Sequence, residues 1–139
     1  MRTISIRQPW AWAIVAGHKP VENRSWATSY RGPVLIHAGK TASKRYMAER
    51  AAEIAEKFGL SVPAIGDLPL GGIVGIADLV DCLPTHPSPW YIQGEFAWVL
   101  ANARPLPFLP CKGQLGFFDV PAFAMGLELS HNLLEKSHA

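Results

Sequence analysis

Charge is scarce in this chain. Only 17% of its 139 residues are Asp, Glu, Lys or Arg, against about 25% in an average soluble domain. The apolar share is 49%, and the two figures together exclude an intrinsically disordered segment. Cysteine is scarcer still. Cys82 and Cys111 stand far apart and form no CxxC pair, so neither a zinc knuckle nor a redox pair is expected, and two free thiols are. Long hydrophobic runs are missing: nothing approaches the ~18 apolar residues of a membrane span. Arg2 and Arg7 interrupt the N-terminus where a signal peptide would carry its apolar core. A cytoplasmic chain with no membrane partner is expected. Nucleotide-binding glycine signatures are also absent. Gly71-Gly72-Ile73-Val74-Gly75 has neither the GxGxxG spacing nor a following Lys-Ser/Thr. There is no GxSxG elbow and no HExxH pair, and the five histidines are dispersed. No metal and no cofactor are expected.

What is present begins with length. The chain suffices for one domain, 1–139, and is too short for two ordinary ones. Glycine and proline number 12 each, typical of a turn-rich fold containing strands. Net charge is only +2, but it is unevenly placed. Residues 1–45 hold eight basic side chains against one acid, Glu22, while the remainder holds five basic and ten acidic groups. That asymmetry points to a local anion-binding surface, the other reading being a solvated charged face.

Hydropathy patterning predicts a strand at Thr3–Ile6. A helix opened by Pro9 at its first position and closed by Gly17 follows, with Trp10 on its core stripe and Trp12 off it. A strand over Val21–Trp26 would align Glu22, Arg24 and Trp26 on one face. Tyr30-Arg31-Gly32-Pro33 reads as a turn and Val34–Ala38 as a central strand, apolar on both sides. The longest helix is expected from Thr41 or Ser43 to Phe58, with Gly59 as its C-cap. Strands follow at Ile73–Cys82 (Gly75 a bulge or close-approach point), Glu95–Asn102 and Gln114–Val120. Pro105, Pro107 and Pro110 predict an edge or irregular segment. A short helix is expected near Leu127–Leu134. Six short strands and two or three helices in one small domain imply an α+β fold, a mixed β-barrel with helices packed around it.

The N-terminal third carries a distinctive run: Gln8-Pro9-Trp10-Ala11, then Gly17-His18-Lys19-Pro20-Val21-Glu22-Asn23-Arg24-Ser25-Trp26, then Tyr30-Arg31-Gly32 and His37-Ala38. In this run, and in Gly72–Leu83, Phe96–Leu100 and Lys112-Gly113, the chain resembles the ASCH (activating-signal-cointegrator homology) family. Domains of that family resemble the PUA-like RNA-binding barrels. The resemblance implies a six-stranded barrel-like fold with a cleft lined by the G-x-K-x-x-E-x-R segment, completed by Gln8, Asp78 and Lys112, and RNA or modified-nucleoside chemistry. One bacterial branch is similar to amidohydrolases acting on acetylated cytidine, and other small members resemble ribonucleases. This chain keeps Lys19 but places Glu22 where those amidohydrolases carry a threonine, so their expected nucleophile is missing.

Read from their chemistry, Lys19 is a phosphate-binding or catalytic ammonium beside Glu22, or one half of a surface ion pair. Arg24 clamps a phosphate or neutralises Glu22. Trp26 and Tyr30 stack bases, or Trp26 caps the core. Arg31 is a phosphate contact, His37 a ligand group or a hydrogen-bonded core histidine, and Lys40 a cation near a helix start. The expected function is therefore RNA binding: single-stranded RNA or a modified nucleoside held by Lys19, Arg24, Trp26, Tyr30, Arg31, His37 and Lys40. The alternatives are a hydrolase (a ribonuclease or a modified-nucleoside amidohydrolase) using Lys19 and Glu22 as its catalytic pair, and a protein-interaction module in transcription or translation contacting partners through Trp12 and the proline-rich 84–89 loop.

Overall fold

The computed structural model describes residues 1–125; the helix expected near 127–134 lies outside them. Six strands form one mixed sheet: β1 (Arg2–Ile6), β2 (Val21–Arg24), β3 (Gly32–Ala38), β4 (Gly72–Leu83), β5 (Phe96–Pro110) and β6 (Phe117–Asp119), in the order β2-β5-β4-β3-β1-β6. β1 runs parallel to β3, and every other neighbouring pair is antiparallel. β3 is central, as its doubly apolar pattern requires: Val34 and Ile36 pack inward with Ile4, Ile6, Leu79 and Trp98. On the opposite face Leu35 joins Ile73, Ile76 and Phe118.

The sheet is curled rather than flat. Register shifts between β4 and β5 at Ile73/Gly75, Ile76/Asp78 and Leu79/Asp81 bend both long strands. The two edges approach each other. Arg24 at the end of β2 donates through Nη2 to the Ser5 carbonyl of β1 at 2.8 Å, and Trp26 packs edge-on to Phe117 of β6. Gly75 is a close-approach point. A Cβ there would lie 2.6 Å from the Arg104 carbonyl and 2.9 Å from the Val15 Cβ, so glycine lets the first helix sit directly on the sheet.

That helix, α1 (Trp10–Val15), starts one residue later than expected. Pro9 is its cap residue, and the Gln8 side chain supplies the capping acceptor, Oε1 receiving the Trp12 N–H at 2.9 Å. α2 (Lys44–Phe58) begins at the Ser43 cap, whose side chain accepts the Tyr46 N–H, and ends at left-handed Gly59. It buries Met47 and Ile54 against Ala13, Val21, Trp90 and Leu68.

Three strand expectations are corrected. β5 continues to Pro110 instead of stopping at Asn102, because β2 pairs only with Phe96–Val99 and leaves the flank beyond without a strand. A proline on an unpaired flank forfeits no ladder bond. β6 is only Phe117–Asp119, since the residues before it form a loop. β2 stops at Arg24, so Trp26 leaves the line of Glu22 and Arg24.

Candidate functional site

A cavity of about 1160 Å³ lies between α2, the ends of β1, β2 and β3, and two loops, 84–95 and 111–116. It exceeds the roughly 300–1000 Å³ usual for one small ligand. Ser5, Glu22, Arg24 and His37 form its sheet-borne floor, and Tyr46, Lys57 and Phe58 of α2 one wall. Asn23 holds the second wall in place. Its amide donates to the Trp90 carbonyl at 3.0 Å and accepts the Ile92 N–H at 2.9 Å, tying loop 84–95 to β2. Phe58 stacks flat on Trp90, centroids 3.7 Å apart. Lys57 donates to the Pro89 carbonyl from the helix side.

Within this frame Lys19, Glu22 and Arg24 form one network. Lys19 is 5% exposed and Glu22 8%. Lys19 Nζ donates to the Val21 carbonyl at 2.6 Å and to Glu22 Oε1 at 3.2 Å. Arg24 donates to Glu22 Oε2 through Nε at 3.1 Å and approaches it through Nη2 at 2.9 Å. Both carboxylate oxygens are thus engaged by cations, an arrangement suited to holding three buried charges together. A substrate proton would have to share Oε1 with Lys19 Nζ, since Arg24 occupies Oε2 through two nitrogens.

Four other cations line the same cavity: Arg7, Lys40, Lys57 and Lys112. Among the described residues, none of them has a carboxylate within salt-bridge distance. Arg7 lies over the Tyr46 ring at 5.5 Å. The stem of Lys40 lies against Gly71, whose carbonyl accepts the Cys111 N–H at 3.1 Å. Lys40 and Lys112 are thereby brought to one end of the cavity.

His37 is 1% exposed and fully bonded. Its Nε2 is 2.8 Å from the Cys111 carbonyl, which can only accept, so Nε2 carries the proton. In the neutral ring Nδ1 is then the acceptor for the Ser5 hydroxyl, 3.0 Å away. Cys111 itself has its thiol pushed above the usual 9.0 by burial, opposed by a hydrogen bond to the Ile73 backbone.

Of the residues singled out in the sequence, the cavity gathers Lys19, Glu22, Arg24, His37 and Lys40, with Lys112 from the resemblance. It does not include Trp26, Tyr30 or Arg31. The Trp26 carbonyl receives the Trp98 indole N–H at 3.1 Å, and its ring packs on Trp98 and Phe117. Tyr30 donates to the Pro33 carbonyl at 2.7 Å beneath the Arg2 guanidinium. Burial is the main cause raising its phenol above 10.0; Arg2 opposes the shift and Asp78 adds to it. Arg31 donates to the Thr28 and Tyr30 carbonyls and pairs with Asp81 at 3.6 Å. Gln8 is spent on capping α1 and on the Pro69 carbonyl, and Asp78 accepts from Asn102; neither lines the cavity.

Trp10, expected in the core, is half-buried at the cavity, its indole donating to Tyr46 at 2.9 Å. Trp12 packs beside α2 and His18 instead. Tyr46, Trp90 and Ser5 carried no local signal. Only the odd clustering of aromatic residues at both ends of α2 and in loop 84–95 hinted at a shared wall. Among the described residues no group of three or more His, Cys, Asp or Glu side chains could hold a metal ion, and no helix is long and apolar enough to cross a membrane.

The family model for the ASCH domain matches residues 4–110. The chain is 42% identical over 81 residues to activating signal cointegrator 1 of Mus musculus and 41% identical to that of Homo sapiens; each match spans 58% of this chain and 14% of the relative. The crystal structure of ASCH from Zymomonas mobilis superposes with a TM-score of 0.54 at 14% identity, covering 96% of this chain and 93% of that one. A point mutant of the same bacterial protein gives 0.54 with 96% of each chain covered. Likeness at that identity is one of fold. The curled six-stranded sheet with its two helices is thus an α+β fold shared with that ASCH structure.

Proposed function

The chain belongs to the ASCH domain family, and from that premise we propose that its cavity binds a short stretch of single-stranded RNA or a nucleotide. One observation carries the reading: four cations without carboxylate partners among the described residues, Arg7, Lys40, Lys57 and Lys112, line the same volume as the aromatic side chains Trp10 and Tyr46. Phosphates need the first feature and base faces the second, stacking contributing about 1–3 kcal/mol per base. The volume leaves room for more than one nucleotide. The Lys19–Glu22–Arg24 network holds the floor rigid and adds net positive charge to it. Trp26, Tyr30 and Arg31 are left out of this reading because hydrogen bonds and ring packing commit them elsewhere.

The hydrolase reading built on Lys19 and Glu22 has less support, because both groups are already committed to a buried network with Arg24 and the Val21 carbonyl. A protein partner is favoured by one feature. Ile92 and Leu115, on the two loops that rim the cavity, are 59% and 99% exposed, and apolar groups so placed suit a protein contact. Salt separates the two. Phosphate contacts release counterions and weaken steeply with ionic strength, whereas apolar contacts do not. The test is fluorescence anisotropy of short labelled single-stranded RNA across a salt series. Salt-sensitive binding that Lys40→Ala and Lys112→Ala weaken, and that Arg104→Ala outside the cavity leaves alone, supports the RNA reading. No binding at low salt refutes it.

A further inference from the structure

The geometry points to Ser5 as a nucleophile for carboxylic esters, with His37 as its base, on the floor of the cavity. Nucleophilic catalysis by serine needs a base within hydrogen-bond reach and a third group orienting that base. All three are present. Ser5 Oγ is 3.0 Å from His37 Nδ1, and His37 Nε2 is 2.8 Å from the Cys111 carbonyl. That carbonyl fixes the tautomer, leaving Nδ1 unprotonated and facing the hydroxyl. The elements holding the three parts are rigid: Ser5 and His37 are paired across β1 and β3, and the Cys111 amide is tied to Gly71.

Access is built in. Ser5 and His37 both line the cavity, and two glycines pack close beside them where a side chain would crowd the pair. A Cβ on Gly39 would lie 2.9 Å from Ser5 Oγ, and one on Gly113 would lie 2.7 Å from His37 Cε1 and 3.1 Å from Ser5 Oγ. Neither glycine has a left-handed backbone that would itself demand the residue. Positive charge lies on the same floor: Arg24 bonds the Ser5 carbonyl, and Lys112 follows Cys111. The ester class is therefore one joined to an anionic group such as a phosphate. The anionic part rests on the nucleic-acid reading; the reaction of Ser5 does not.

In the first half-reaction Ser5 Oγ bonds to the ester carbonyl carbon as its proton passes to His37 Nδ1. The tetrahedral adduct then collapses, the carbon–oxygen bond to the alcohol breaks, and that alcohol leaves with the proton from His37. Water attacks the acyl-Ser5, its proton taken by His37 and returned to Ser5 Oγ, and the carboxylic acid departs.

The probe is p-nitrophenyl acetate, a neutral ester whose turnover does not require RNA binding. A burst of p-nitrophenolate stoichiometric with the full chain is expected, with the acetyl group mapped to Ser5 by peptide mass spectrometry. Ser5→Ala should abolish the burst, and His37→Gln should slow it by about 100-fold or more, the usual contribution of a general base. Should His37→Gln fail to fold by circular dichroism, Ser5→Ala and the mapped acetyl site decide. No burst, an acetyl group only on lysines, or an undiminished burst in Ser5→Ala overturns the proposal. RNA anisotropy on the unaltered protein reports separately on the cavity as an RNA site. A burst without RNA binding keeps the nucleophile and removes only its anionic substrate class.

Discussion

Replacing Glu22 with glutamine tests the floor of the cavity most directly. The Lys19 side chain is 4% exposed, that of Glu22 11% and that of Arg24 23%, so all three charges are largely removed from water. Breaking a buried ion pair by removing one partner costs about 3–5 kcal/mol, because the remaining charge stays buried without compensation. The glutamine oxygen would still accept from one of the two cations, but its amide NH2 would face the other. Lys19 would also keep the Val21 carbonyl, and Arg24 would keep Ser5 and some solvent. The loss should therefore fall at the lower end, about 3 kcal/mol. For a chain of this size that lowers Tm by about 6–12 °C. Urea denaturation should show the midpoint falling with an unchanged slope. Adding Lys19→Met to Glu22→Gln should recover much of the loss, since an apolar side chain in place of a stranded ammonium removes the cause. A loss below about 1 kcal/mol, or no recovery in the double variant, would refute the account of the network as a buried charge cluster. RNA binding by Glu22→Gln, measured at a temperature where it stays folded, should tighten because the floor becomes more positive. Unchanged binding with lost RNA cleavage would instead make Glu22 the base.

Three further expectations follow from the geometry. Lys112→Ala should weaken binding of single-stranded RNA across all sequences and reduce the slope of log K against log salt by about 0.7, the share of one phosphate contact; an unchanged slope places Lys112 outside the interface. Gly113→Ala should destabilise the fold by about 1–3 kcal/mol, the usual cost of overpacking, because its methyl group would press on the buried His37 ring; a thermal melt matching the parent would refute it. Cys111 and Tyr30 both have pKa values raised above 9.0 and 10.0, chiefly by burial. The unfolded chain releases these protons first, so their stabilising contribution is complete below pH 9.0 and is lost as pH rises through the folded values. Urea midpoints should fall above pH 9, and Cys111→Ala should flatten the first part of that fall; an identical profile in the variant would show that burial does not hold the thiol protonated.

How far the structure was legible in the sequence depended on range. α2 was read almost to the residue because its signals are local: Ser43 and Gly59 at its ends, Met47 and Ile54 at helical spacing. β3 was read as central from Val34–Ala38 alone. Lys19, Glu22 and Arg24 were legible as a group because a turn and one strand place them side by side. β5 was cut short by Pro105, Pro107 and Pro110, whose tolerance depends on which flank another strand occupies.

The amino-acid sequence by itself determined the class of fold, the elements with local signals, and a basic N-terminal third with one acid in its midst. Periodicity, caps and turn residues act over a few positions and need no knowledge of the rest of the chain. Tertiary structure decided which of those groups share a cavity. Ser5, His37 and Cys111 are 32 and 74 positions apart in their two contacts, so nothing in their neighbourhoods announces the triad. Trp26, Tyr30 and Arg31 stand close to the motif in sequence yet turn away, because β2 ends at Arg24 and hydrogen bonds draw them to other partners. Curling of the sheet and the packing of α2 across its floor select the ligand-facing side chains, and both are products of contacts between distant segments.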